Sequence, residues 1–151
     1  MTMARLIASG FGAGFIPVAP GTAGSAAALL LGAVLLSLTT YALPVAVLLA
    51  TFAGLWAIRA VRVEGDPGWV VIDEFAGQWL AMLGLARVSV LGLLGAFVIF
   101  RLLDITKPEP VAWADRQGGA AGIMADDVIA GAFTAGILWA IRSRWPGLFA
   151  N

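Results

Sequence analysis

Five carboxylates stand where a carboxylate is costly to keep. Asp73 and Glu74 interrupt the otherwise apolar run 70–85, Asp104 follows the apolar run 88–103, and Asp126 and Asp127 stand at the head of another, 127–141. An anion beside a bilayer is expensive unless it is paired or bound to a cation. Capping offers a simpler account, since acids in a first turn favour the helix dipole. It explains one acid at a helix start more easily than two. It leaves Gln78 and Gly77 unexplained: Gln78 lies one turn beyond Glu74, and Gly77 would let another backbone approach. Asp104 is placed at a helix C-terminus, where the dipole disfavours an anion, and Arg101 and Lys107 lie three residues to either side as candidate partners.

Carboxylates clustered without a cation would repel and raise one another's pKa. Hard cations such as Mg²⁺ take oxygen ligands and bind through a few carboxylates plus substrate phosphate. Arg101, Lys107 and Arg116 fall in the same polar region and suit phosphate oxygens. The uncharged, glycine-punctuated stretch 10–25 leads into a helix, with Thr22 and Ser25 as candidate caps and the free N–H groups as a candidate anion site. It is not a Walker loop, because no Lys follows the glycines. Taken by itself, a tight loop with an N-cap explains the stretch better. The chain has no Cys and no His. That removes thiolate chemistry and the commonest general base. Catalysis would have to run on carboxylates, Lys, Arg, Ser, Thr or Tyr.

The elements that must position these groups are set by hydropathy. Of the 151 residues 61% are hydrophobic and 12% charged, about half the charge of a soluble domain at roughly 25%. Nine basic and nine acidic side chains leave no net charge and no basic stripe, so nucleic acid is not an expected partner. The first ten residues do not read as a cleaved signal peptide. No side chain is charged between Arg5 and Arg59, enough for two spans of about 20 residues. The pattern predicts helices near 25–39 and 44–61, turning at Thr40, Tyr41 and Pro44. A polar loop follows at 62–69. The arms 70–85 and 88–103 turn at 85–89, either as short spans or as a re-entrant hairpin. A long polar segment, 104–125, precedes a last helix over 127–141. The acidic pair with a following Gly recurs at 73–77 and 126–131, a weak internal echo. Followed as zigzags, segments 10–24, 62–78 and 101–127 meet at one membrane face. Arg59, Arg62, Arg101, Lys107 and Arg116 share that face, and Arg87, Arg142 and Arg144 fall opposite. The Lys/Arg bias marks the acidic face as cytoplasmic. The expected fold is a single all-α domain, 1–151, an integral membrane helical bundle of about four to six helices with polar loops forming a site at one face.

Four segments, in order and at matching spacing, resemble the phosphatidylglycerophosphatase A family: 17–25 (PVAPGTAGS), 71–78 (VIDEFAGQ), 100–108 (FRLLDITKP) and 118–131 (GGAAGIMADDVIAG). The resemblance covers nearly the whole chain. It implies a multi-pass enzyme of the bacterial inner membrane, its site facing the cytoplasm. The enzyme would remove the terminal phosphate of phosphatidylglycerophosphate with Mg²⁺ to give phosphatidylglycerol. The family's motifs fall here on Asp73, Glu74, Asp104, Asp126 and Asp127 as metal-ligand candidates, and all of these but Asp126 are also catalytic candidates. Thr22, Ser25, Arg101 and Lys107 fall on the phosphate side. Ala23 and Glu109 stand where the family often has Trp. The expected chemistry is phosphomonoester hydrolysis by a metal-activated water, with one carboxylate outside the metal as base. A covalent route through Thr22 or Ser25 would lack an adjacent His. A small cation-binding transporter subunit is the alternative class, since intramembrane acids also mark ion paths. Such a path would want acids at mid-span, near 30–35, 50–55 or 133–138, and there are none.

Overall fold

The helices form where side chains are apolar and uncharged, and they stop where the backbone is forced out of the helical region. In the computed structural model, which describes residues 1–63, 65 and 67–149, every regular element is helical. Glu64 and Asp66 of the polar loop lie outside the described residues. A short helix α1 (Met3–Ala8) and a 3₁₀ turn (Ala13–Phe15) precede α2 (Pro20–Leu38) and α3 (Ala42–Val61). Then come α4 (Ile72–Met82), α5 (Val90–Thr106), the five-residue α6 (Val111–Asp115) and α7 (Gly119–Arg144). Pro20 occupies the first turn of α2, where its missing N–H costs nothing. Ser89 caps α5 by accepting from the Gly92 N–H at 3.1 Å. Arg62 and Lys107 end α3 and α5 in the left-handed region.

Two boundaries differ from the sequence expectation for one reason. Helix α2 begins five residues before Ser25, and α7 begins at Gly119 rather than Asp127. The glycines read as loop punctuation are packing positions inside helices. A Cβ at Gly21 would overlap the Glu74 carboxylate, one at Gly24 would lie 2.8 Å from Val71 Cβ, and one at Gly122 would press on the carbonyls of Ala114 and Asp115. Asp126 and Asp127 therefore sit about two turns inside α7, and helix capping does not account for them.

Three helices, α2, α3 and α7, are long and apolar enough to cross a membrane. Their faces carry exposed Leu30, Val34, Leu48, Phe52 and Phe133. Helix α4, with 11 residues, is too short to span about 30 Å. It is instead the central post, packed against α2, α3, α5 and α7, and residues 72–78 are all buried. Helices α2 and α4 run parallel: Gly21 meets Glu74 and Gly32 meets Met82. Helices α4 and α7 also run parallel, Gly77 lying against the Asp127 carbonyl and Gly84 against Ala135. Three helix N-termini thus point to one end, where their dipoles favour negative charge. Helix α5 runs the other way and brings its C-terminal cations to the same end.

Candidate active site

At that end the acids converge. Val71 N–H donates to the Ala8 carbonyl at 2.9 Å, fixing the entry to α4. The first turn of α4 then presents Asp73 and Glu74, with Asp73 Oδ1 accepting from the Glu74 N–H at 3.0 Å. Asp126 and Asp127 arrive from α7, and Asp104 from the last turn of α5. All five line one open cleft of about 260 Å³, together with Lys107, Pro20, Gly21 and Ile105. Glu74, Asp104 and Asp127 come closest: one carboxylate oxygen from each lies within 4.8 Å of the others.

The cations are committed to these acids. Arg101 Nη1 donates to Glu74 Oε2 at 2.5 Å and to Asp104 Oδ2 at 2.7 Å. Lys107 Nζ bridges Asp115 at 2.5 Å and Asp126 at 2.9 Å. Burial works against the Lys107 charge, but hydrogen bonds to Asp115 and Asp126 outweigh it and hold the ammonium above its ordinary range. Ser25, fully buried, donates to Glu74 Oε2 at 2.6 Å, with the Gly21 carbonyl at 3.0 Å as its alternative acceptor. Thr22, one turn earlier, is exposed and does not line the cleft. Arg116 pairs with Glu109 at 2.6 Å on the surface, outside the cleft.

Two cations against five cleft carboxylates leave an excess of negative charge. Burial, and then the neighbouring Asp104, push Glu74 up to about 7 even though Arg101 and Ser25 oppose the shift. Asp127 Oδ2 is buried and has no hydrogen-bond partner among the described residues. An orphaned carboxylate oxygen costs several kcal/mol in a dry site, on the order of 1–3 even for a neutral group. A divalent cation held by Glu74, Asp104 and Asp127 would satisfy it with the donor type that hard cations take. Gln78, buried one turn below Glu74, also has both amide atoms without a partner among the described residues.

All of the acids singled out in the sequence thus meet in one cleft, and so does Lys107; Arg101 and Ser25 reach it through Glu74. Sequence reasoning missed Asp115, the second partner of Lys107, because nothing in a spacing of eight residues across a turn signals contact. It also missed Gly21 and Ile105, which line the cleft without polar side chains.

The family model described as Phosphatidylglycerophosphatase A matches residues 6–142. Among curated proteins the chain is similar to Phosphatidylglycerophosphatase A of Escherichia coli K12, 38% identical over 94% of this chain and 85% of the relative. It is 40% identical to a Putative phosphatidylinositol-3-phosphatase of Bacteroides thetaiotaomicron over 93% of this chain and 92% of the relative. It is 35% identical to Phosphatidylglycerophosphatase A of Haemophilus influenzae over 91% and 88%. No solved structure matches.

Proposed function

The chain belongs to the phosphatidylglycerophosphatase A family and is a phosphoric monoester hydrolase of phosphatidylglycerol synthesis, and we propose that its reaction is Mg²⁺-dependent removal of the terminal phosphate of phosphatidylglycerophosphate at the acidic cleft. The observation that supports this most is the meeting of Glu74, Asp104 and Asp127 from three helices, with Asp127 Oδ2 unsatisfied. These three would hold the ion, with Asp73 and Asp126 beside them in the cleft. Bound there, Mg²⁺ would supply positive charge to the phosphoryl oxygens and lower the pKa of water.

The protein's own groups do the rest. Arg101 and Ser25 hold the Glu74 carboxylate in one orientation, which matters because misplacement by about 1 Å can cost roughly 10²-fold in rate. A cluster carboxylate not engaged as ligand takes the proton from the attacking water. Lys107 turns part of its hydrogen bonding from Asp126 to the phosphate as it enters the cleft, while Arg101 keeps Glu74 in place and adds its positive charge behind it. The bilayer keeps the lipid tails, so only the headgroup needs a polar site. Arg59, Arg62, Arg101, Lys107 and Arg116 belong to the cleft end and Arg87, Arg142 and Arg144 to the other. This bias favours a cytoplasmic site in the bacterial inner membrane.

The test is phosphate release by the purified protein in vesicles, with and without Mg²⁺. Phosphatidylglycerophosphate is compared with phosphatidylinositol 3-phosphate, the substrate class printed in the name of one relative. Release from the first, abolished by chelator, is the expected result. Full activity in excess chelator would sink the metal reading, and a preference for the inositol lipid would sink the substrate.

A further inference from the structure

The wall of the cleft is chemically mixed: beside the carboxylates and Lys107 it includes the apolar Pro20, Val70 and Ile105. Ile105 directly follows the cluster carboxylate Asp104, and it is 66% exposed. From it an unbroken apolar stripe descends one face of α5: Leu102, Val98, Leu94 and Leu91, each about half exposed. The steps of three, four, four and three residues keep these side chains on one line. The opposite face of the same helix is buried through Gly92, Ala96 and Phe100, while Arg101, four residues before Ile105, stands beside the stripe and reaches Glu74.

From Ile105 to Leu91 the stripe runs about 21 Å, more than the roughly 15 Å of hydrocarbon in one leaflet. Any apolar helix face in a bilayer meets bulk lipid. The face of α3, for example, exposes Val45, Leu48, Leu49 and Phe52, but it ends near Arg59 and Ala60, away from the acids. The α5 stripe is different because its last residue is itself part of the cleft wall.

Resting on the phosphatase reading of the cleft, we infer that the α5 stripe is the substrate's acyl-chain track. The phosphomonoester lipid enters sideways from the bilayer past Ile105, with a chain laid along Leu102, Val98 and Leu94 while its phosphate meets the carboxylates. The glycerol backbone then crosses the rim at Ile105. A lipid anchored there needs to leave the bilayer by no more than its headgroup.

The test uses the unmodified protein in phosphatidylcholine vesicles with phosphatidylglycerophosphate carrying a diazirine on one acyl chain. After brief illumination, labelled positions are mapped by mass spectrometry, and turnover of the same lipid is measured in parallel. Label concentrated between residues 91 and 105, suppressed severalfold by unlabelled phosphatidylglycerophosphate and not by added phosphatidylcholine, is the expected result. Label spread equally over α3 and α5, or indifferent to the competitor, would mean bulk lipid only and would overturn the track while leaving the phosphatase reading intact. Absence of turnover would overturn both. In kinetics, Val98→Asn, on the stripe but off the cleft wall, should raise the lipid KM severalfold with kcat within about twofold, and Leu49→Asn on α3 should leave the KM unchanged. An unaltered KM in Val98→Asn would also overturn the track.

Discussion

Replacing Gly77 with Ala tests whether the cleft depends on the spacing of α4 and α7. The added Cβ would lie 2.7 Å from the Asp127 carbonyl oxygen and 2.6 Å from Phe100 Cε2. The ring of Phe100 can turn, but the carbonyl belongs to the α7 backbone and cannot. Ordinary contact begins near 3.4 Å, so the two helices must part by about 0.7 Å at the level of Asp127. Gly131 offers no relief, because its own missing side chain already admits the Gly77 carbonyl. Overpacking of this kind costs about 1–3 kcal/mol, which a stability of about 5–15 kcal/mol absorbs. The site does not absorb it: Glu74 and Asp127 share a set of oxygens within 4.8 Å. A displacement approaching 1 Å costs up to roughly 10²-fold. The expected result is a kcat lowered by roughly ten- to a hundredfold, with helical content and membrane insertion retained, read as phosphate release at saturating lipid and Mg²⁺. Gly136→Ala on α7 is the control, since nothing lies within 4 Å of a Cβ there. Parent activity in Gly77→Ala, or an equal loss in Gly136→Ala, would refute the reasoning.

The remaining predictions concern charge, the hydroxyl and topology. Asp127→Asn removes one buried charge at constant size and should lower the rate by orders of magnitude and weaken the Mg²⁺ dependence; an unchanged Mg²⁺ midpoint would remove Asp127 from the ligand set. Lys107→Ala, which breaks the bridge from Asp126 to Asp115, should act mainly on lipid KM and transition-state charge, and a shifted Mg²⁺ midpoint alone would count against that role. Ser25→Ala deletes the 2.6 Å bond to Glu74 and should reduce the rate roughly ten- to a hundredfold, in line with roughly 1.5–3 kcal/mol for a hydrogen bond to a charged group. Complete loss, with a phosphoserine trapped in the parent protein, would establish the covalent route instead. Single cysteines at the exposed Met3 and Gln117 should label from one side of the membrane and those at Val88 and Trp145 from the other; labelling of Met3 and Gln117 from opposite sides would divide the site.

The long uncharged stretch between Arg5 and Arg59 leaves the chain no way to fold but as membrane helices, because hydropathy is a local property of composition. The acids Asp73, Glu74, Asp104, Asp126 and Asp127 were likewise visible by type and by their apolar surroundings, and Gly77 announced a close backbone approach that Asp127 makes. Other features were not visible. Gly21, Gly24 and Gly122 read as punctuation, yet they lie inside helices whose neighbours need the space; a glycine looks the same in a loop and at a helix crossing, and only the partner tells them apart. The pairing of Arg101 with Asp104 was legible at three residues' spacing, but Glu74 as the second partner of Arg101, and Asp115 and Asp126 as those of Lys107, came only from the fold. The trio Glu74, Asp104 and Asp127 was decided by tertiary structure alone. Residues 30 and 23 apart in the chain come within 4.8 Å only because α4 and α7 run parallel, α5 runs against them, and glycines let the backbones touch. Those are distances between helices, and no period along one strand of sequence encodes them.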